Sequence, residues 1–128
     1  MKKLIPILLS VLMFTGCAGT SNNQNNTYRQ ISMDEAVAMM AEETGYIILD
    51  VRRADEFAAG HIPGAINVAN ENIGTNEIPE LPDKNQLIMV YCRSGRRSKE
   101  AAEKLVKLGY TNIVEFGGIL DWKGEIET

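Results

Sequence analysis

Residues 92–98 read Cys-Arg-Ser-Gly-Arg-Arg-Ser, directly after the apolar run LIMVY and ahead of a helix-forming stretch. A loop at such a junction turns successive backbone N–H groups inward, and the helix N-terminus adds about half a positive charge. Arg93, Arg96 and Arg97 add formal charge. These are the surroundings that stabilise a thiolate over a thiol. The same donors suit an oxyanion such as sulfate, thiosulfate or phosphate. Gly95 allows the loop a backbone conformation that a Cβ would forbid. Cys92 is therefore the candidate nucleophile, and Arg93, Ser94, Gly95, Arg96 and Arg97 are the candidate substrate-binding residues. The competing reading is a structural cysteine beside a solvated basic run. The position of Cys92 at the end of a strand favours the nucleophile.

Few other residues offer chemistry. The chain has one histidine, His61, and two cysteines, Cys17 and Cys92. A zinc site needs three or four His, Cys or carboxylate ligands at short spacings, which this sequence does not supply. No cofactor is implied. The two cysteines belong to different kinds of segment, so no disulfide framework is expected. His61 could be a general base, but an ionised thiolate needs none, and a structural role is expected. Asp50, at a strand end, and Glu56 are candidate supports for the loop, either one as an inward partner for Arg97.

The nucleophile must be held by the elements around it. Over 128 residues the chain is 45% apolar and 23% charged, with a net charge of −4. That fits one compact domain and disfavours a nucleic-acid binder, which carries a basic stripe to neutralise phosphates. Residues 28–31 suggest a short strand. Ser32 with Glu35 forms a capping box, and Met33, Ala36, Val37 and Met40 follow at helical spacing, with Gly45 just past the end. Residues 46–51 (YIILDV) and 87–91 (LIMVY) are near-continuous apolar runs, the pattern of parallel strands buried on both faces. Residues 53–59 suggest a short helix closed by Gly60, residues 65–68 a strand, and residues 69–85 a loop. Residues 97–108 suggest a helix with Ala101, Ala102, Leu105 and Leu108 inward, Glu100/Lys104 and Glu103/Lys107 pairs outward, and Gly109 as its stop. Residues 113–116 suggest a last strand and residues 120–123 a short helix. Alternating strands and helices predict an α/β fold whose site lies beyond the carboxyl ends of the strands.

The N-terminal segment reads as an address. Lys2 and Lys3 precede an apolar stretch over residues 4–14, too short to span a bilayer and shaped like an export signal. Phe14-Thr15-Gly16-Cys17 resembles the lipobox of bacterial lipoproteins, with Phe14 where leucine is usual. In that family the cysteine is acylated and becomes the first residue of the mature protein. Residues 1–16 are thus expected to be a signal peptide. Residues 17–27 are expected to form an acylated Cys17 followed by a polar tether, and residues 28–128 the domain. Cell-envelope membrane anchoring on the extracytoplasmic face follows.

The domain resembles the rhodaneses, a sulfurtransferase family. The likeness rests on Leu49-Asp50-Val51-Arg52 with Glu56-Phe57, on Gly60-His61-Ile62-Pro63-Gly64-Ala65, on the loop from Cys92 to Arg97 with Ser98, and on Phe116-Gly117-Gly118-Ile119 with Trp122. It implies a single rhodanese-like domain with a mostly parallel five-stranded sheet flanked by helices, and a persulfide on Cys92. It also implies that loop length separates chemistries: sulfurtransferases carry the six-residue loop seen here, related phosphatases and arsenate reductases a longer one. The implied activity is transfer of a sulfane sulfur from thiosulfate or a similar anion to a thiol or cyanide. The partners implied are that small anion and a thiophilic acceptor, with a monomer expected. A persulfide carrier or sulfur-relay module acting on a protein partner stays open beside it.

Overall fold

The computed structural model describes residues 27–128. The segment expected to be a signal peptide, Cys17 and the expected tether up to residue 26 lie outside the described residues. Five strands form one sheet: β1 (Arg29–Gln30), β2 (Ile47–Asp50), β3 (Ile66–Asn67), β4 (Ile88–Cys92) and β5 (Ile113–Gly118). Their order is β1-β5-β4-β2-β3, and every pairing is parallel. Helices α1 (Met33–Glu42), α2 (Ala54–Ala59) and α3 (Arg96–Lys107) cover the faces.

The central strands are buried on both sides because successive side chains alternate between faces. Leu49, Ile88, Val90, Cys92 and Ile113 join Ala101, Ala102 and Leu105 of α3 in one core. Ile48, Met89, Tyr91 and Phe116 join Ala36 of α1 in the other. Cys92 is thus the last inward residue of β4 on the α3 side.

The capping box at α1 forms: Glu35 N donates to Ser32 Oγ at 3.1 Å, and Ser32 N donates to Glu35 Oε1 at 2.8 Å. Its inner stripe differs from the expected one. Val37 is 47% exposed, and Met39 packs inward with Met33 and Met40. This short helix buries only Ala36 fully, so positions at the margin of its stripe stay in solvent.

Helix α3 begins at Arg96, one residue earlier than the sequence suggests, and ends as Gly109 predicts. Gly109 has φ +99°, its N–H donates to Val106 O at 3.0 Å, and Tyr110 N donates to Leu105 O at 3.1 Å. That is the double-bonded glycine stop of a Schellman motif. The expected Glu100/Lys104 ion pair does not form. Lys104 donates instead to Asn70 O and Oδ1, and Glu100 accepts from Arg96 and from Asn70. Asn70 opens a 3-10 turn (Asn70–Asn72) inside the region expected to be plain loop. That region also buries Ile73, Ile78 and Leu81, apolar anchors too irregularly spaced to show as a periodic pattern.

Candidate active site

β4 ends at Cys92 and α3 starts at Arg96, so three residues, Arg93, Ser94 and Gly95, make the turn between them. A register shift between Val90 and Cys92 sets Cys92 opposite Gly118 of β5. Gly95 sits at φ +119°, a conformation that a side chain would strain. This turns its N–H onto the thiol: Gly95 N donates to Cys92 Sγ at 3.0 Å. Among the described residues it is the one backbone donor bonded to Sγ.

The turn is held from below by Gly118 at the end of β5 and by the 3-10 turn Ile119–Asp121 that follows it. Leu120 N donates to Arg93 O at 3.2 Å. Gly118 is pressed so closely on Arg93 that a Cβ there would lie 2.0 Å from the Arg93 carbonyl oxygen. Only glycine fits.

Cys92 is 1% exposed and lies at the floor of an open cavity of about 440 Å³. Arg93 and Ser94, both exposed, line it, with Arg96 and Arg97. Gly95 shapes the turn and is itself buried. Two lining residues escape a reading by motif: Arg53, at the start of α2, and Glu71, in the 3-10 turn. Both come from distant segments, so nothing near Cys92 in the sequence points to them.

Arg97 turns away from solvent onto Glu56 in a two-pronged pair, Nη1 to Oε1 at 2.7 Å and Nη2 to Oε2 at 3.2 Å. The Arg97 hydrogen bonds, working against desolvation, lower the Glu56 carboxyl to about 2. Glu56 Oε1 also accepts from Arg53 N at 3.1 Å, so one carboxylate ties the start of α2 to the first turn of α3. The alternative partner is excluded by geometry. Asp50 does not bond to any residue of the 93–97 loop. Its Oδ2 accepts from Arg52 Nη2 at 2.7 Å and from Tyr91 Oη at 2.6 Å, and Arg52 Nη2 goes on to Gly60 O. Its support for the site is indirect, through Tyr91, the residue before Cys92. Burial, with the Asp50 hydrogen bond next, pushes the Tyr91 phenol well above its ordinary range.

His61 does not line the cavity. Its ring stacks on Phe57 with centroids 3.7 Å apart, Nδ1 lies 2.8 Å from Phe57 O, and its backbone pairs with Glu127. Two further buried residues lie behind Cys92: Ser98, which closes the loop motif, and Glu115, which motif reading passed over. Ser98 Oγ lies 3.5 Å from Cys92 Sγ, and it donates to Glu115 Oε2 across 2.5 Å. The visible signal was Glu115 itself, a charge inside the otherwise apolar strand IVEF.

Comparison with known proteins agrees with this geometry. Residues 32–125 match the family model described as "Rhodanese-like domain". The chain is 37% identical over 73 residues to "Thiosulfate sulfurtransferase PspE" of Escherichia coli (strain K12), covering 57% of this chain and 70% of that protein. It is 32% identical to "Thiosulfate sulfurtransferase GlpE" of Pseudomonas entomophila (strain L48), over 75% of this chain and 85% of that protein. Among solved structures, "rhodanese with anions from E. coli" superposes with a TM-score of 0.59 at 32% identity, covering 65% of this chain and 98% of that one.

Proposed function

The chain belongs to the rhodanese-like domain family, and from that premise we propose that it is a thiosulfate sulfurtransferase working through a persulfide on Cys92. The observation that carries this reading is the Gly95 N–H aimed at Cys92 Sγ at 3.0 Å, at the floor of a cavity rimmed by arginines. A donor fixed there meets the nucleophile and the positive rim together.

In the first half-reaction the Cys92 thiolate attacks the sulfane sulfur of thiosulfate. The sulfur–sulfur bond of the donor breaks, and its electron pair leaves with sulfite. The new persulfide anion is stabilised by the Gly95 N–H and the N-terminus of α3. In the second half-reaction a thiol or cyanide attacks the outer sulfur and the Cys92 thiolate returns. Arg93 and Arg96, exposed at the mouth, draw in the dianionic donor and balance departing sulfite. Arg97, tied to Glu56, keeps the loop in shape.

Intact mass after incubation with thiosulfate tests the reading. The natural chain should gain one sulfur atom, and Cys92→Ser none. A gain that survives Cys92→Ser overturns the assignment. Export and anchoring through an acylated Cys17 belong to the same proposal and rest on residues 1–17 of the sequence. Metabolic labelling with a radioactive fatty acid should mark the natural chain and leave Cys17→Ala unlabelled.

A further inference from the structure

Glu115 is fully buried in the middle of β5, on the face that carries Cys92 and α3. Its Oε2 accepts from Gly117 N at 2.9 Å and from Ser98 Oγ across 2.5 Å. Its Oε1 is the only buried side-chain nitrogen or oxygen without a hydrogen-bond partner among the described residues. No lysine, arginine or histidine pairs with it among the described residues. A buried carboxylate with one oxygen unpaired is costly, so a proton offered within hydrogen-bond reach is readily taken.

Ser98 is where such a proton would arrive. Its hydroxyl is also fully buried and has one hydrogen to give. The acceptors around that hydrogen are Glu115 Oε2 at 2.5 Å, Gly95 O at 2.9 Å and Gly117 O at 3.3 Å. When its hydrogen goes to Glu115, a lone pair is left for the thiol, whose Sγ lies 3.5 Å away.

We propose that Glu115 is a positioning residue for the nucleophile, sharing one exchangeable proton with Cys92 through the Ser98 hydroxyl. When the thiol ionises, the S–H bond of Cys92 breaks and Ser98 Oγ takes that proton. The hydrogen of Ser98 passes at the same time to Glu115 Oε2. Thiol, hydroxyl and carboxylate become thiolate, hydroxyl and carboxylic acid, with charge conserved and no oxidant or reductant involved. The thiolate is thereby formed without sending a proton through the arginine-lined mouth. Other charged groups face this chain of atoms. Tyr28 lies beside Glu115 and Glu103, Arg97 faces Cys92 with Glu56 behind it, and Lys99 lies near Gly95. Arg53, Glu71, Arg93 and Arg96 stand at the mouth.

The inference rests on Cys92 as nucleophile, but its test uses no sulfur donor, so it can fail while sulfur transfer stands. The rate of Cys92 alkylation by iodoacetamide is followed against pH on the full chain, read by peptide mass. Two groups sharing a proton titrate as a pair, so the natural chain should show two rises separated by a shoulder. Glu115→Gln and Ser98→Ala should each collapse this to one rise, and Ser98→Thr, which keeps the hydroxyl, should restore the shoulder. The double variant should change the profile no more than either single one, because the two residues act as one unit. A Glu115→Gln profile that overlays the natural one overturns the proposal. So does an equal Glu115→Gln effect with Ser98 already removed. Difference infrared spectroscopy keeps the question decidable if Glu115→Gln does not fold. At the pH of the shoulder the natural chain should show a protonated-carboxyl band that disappears as the pH rises through the second step, and Cys92→Ser should lack that band at the same pH; absence of the band from the natural chain overturns the proposal.

Discussion

Gly118 and Arg93 touch backbone to backbone: a Cβ on Gly118 would stand 2.0 Å from the Arg93 carbonyl oxygen and 2.5 Å from Ser94 N. The loop of Cys92 therefore rests on a surface that tolerates no side chain. Gly118→Ala must push residues 93–94 outward and take the Gly95 N–H away from Sγ. We expect a loss of sulfur transfer of about tenfold or more, the equivalent of about 1.4 kcal/mol in the barrier. Steady-state kinetics beside a thermal melt check this. Full activity in a folded Gly118→Ala protein would show that the loop geometry does not matter.

The Glu56–Arg97 pair should make part of the stability depend on acid. The folded-state carboxyl titrates at about 2, below its ordinary 4.5. The unfolded chain then binds more protons between these values, so stability rises with pH across that window. The contribution is fully present above about 4.5 and is lost as pH falls through about 2. Glu56→Gln should cost on the order of 1–2 kcal/mol near neutral pH, as expected for a charged hydrogen bond at a partly exposed site. Its deficit should shrink between about pH 5 and pH 2, measured by denaturant unfolding. A deficit that stays constant with pH would assign the loss to packing.

Tyr91→Phe removes the hydroxyl that donates to Asp50 at 2.6 Å and accepts from Ile62 N at 3.1 Å. Leaving those buried partners short of a bond should cost about 1–3 kcal/mol. The melting temperature should fall, while sulfur transfer by the folded fraction stays close to that of the natural chain. A specific loss of turnover without destabilisation would mean that Tyr91 orients Cys92 more directly than its contacts indicate.

Arg93 and Arg96 are exposed at the mouth, and Arg96 is held only by a pair with Glu100 at 3.1 Å. Replacing both by alanine should raise KM for thiosulfate by about three- to tenfold and weaken its dependence on ionic strength, with less effect on kcat. The salt series separates the two roles. A fall in kcat at unchanged KM would place these arginines on the leaving group alone.

The loop was readable before the fold because its chemistry is local. Strand, cysteine, glycine and basic helix start follow one another, and the structure joins them within residues 92–97. The capping box at Ser32 and the glycine stop at Gly109 were readable for the same reason, since the residues of each motif lie within a few positions of one another. What stayed hidden spans distance. Arg53 and Glu71 reach the cavity only once the sheet order is known. Ser98 meets Glu115 across 17 positions. The Glu100/Lys104 pair failed because Asn70, a tertiary neighbour, offered Lys104 a carbonyl and an amide oxygen at once. Arg97 had two acids within reach by sequence, and only the fold, which brings Glu56 at the start of α2 to the first turn of α3 while Asp50 is taken by Arg52 and Tyr91, chose Glu56.

The sheet joins its earliest strand to its latest: β1 pairs with β5 through Arg29 with Val114 and Gln30 with Glu115. A chain made from its N-terminus cannot close this sheet until β5 has emerged, and closing so long a loop is slow. Cys92 is synthesised well before Glu115, Gly117 and Gly118, the residues that seat its loop. For that interval the loop of Cys92 lacks its Gly118 seat, and Ser98 lacks its Glu115 partner. The surroundings that the structure gives Cys92 are complete only when β5 slides in between β1 and β4.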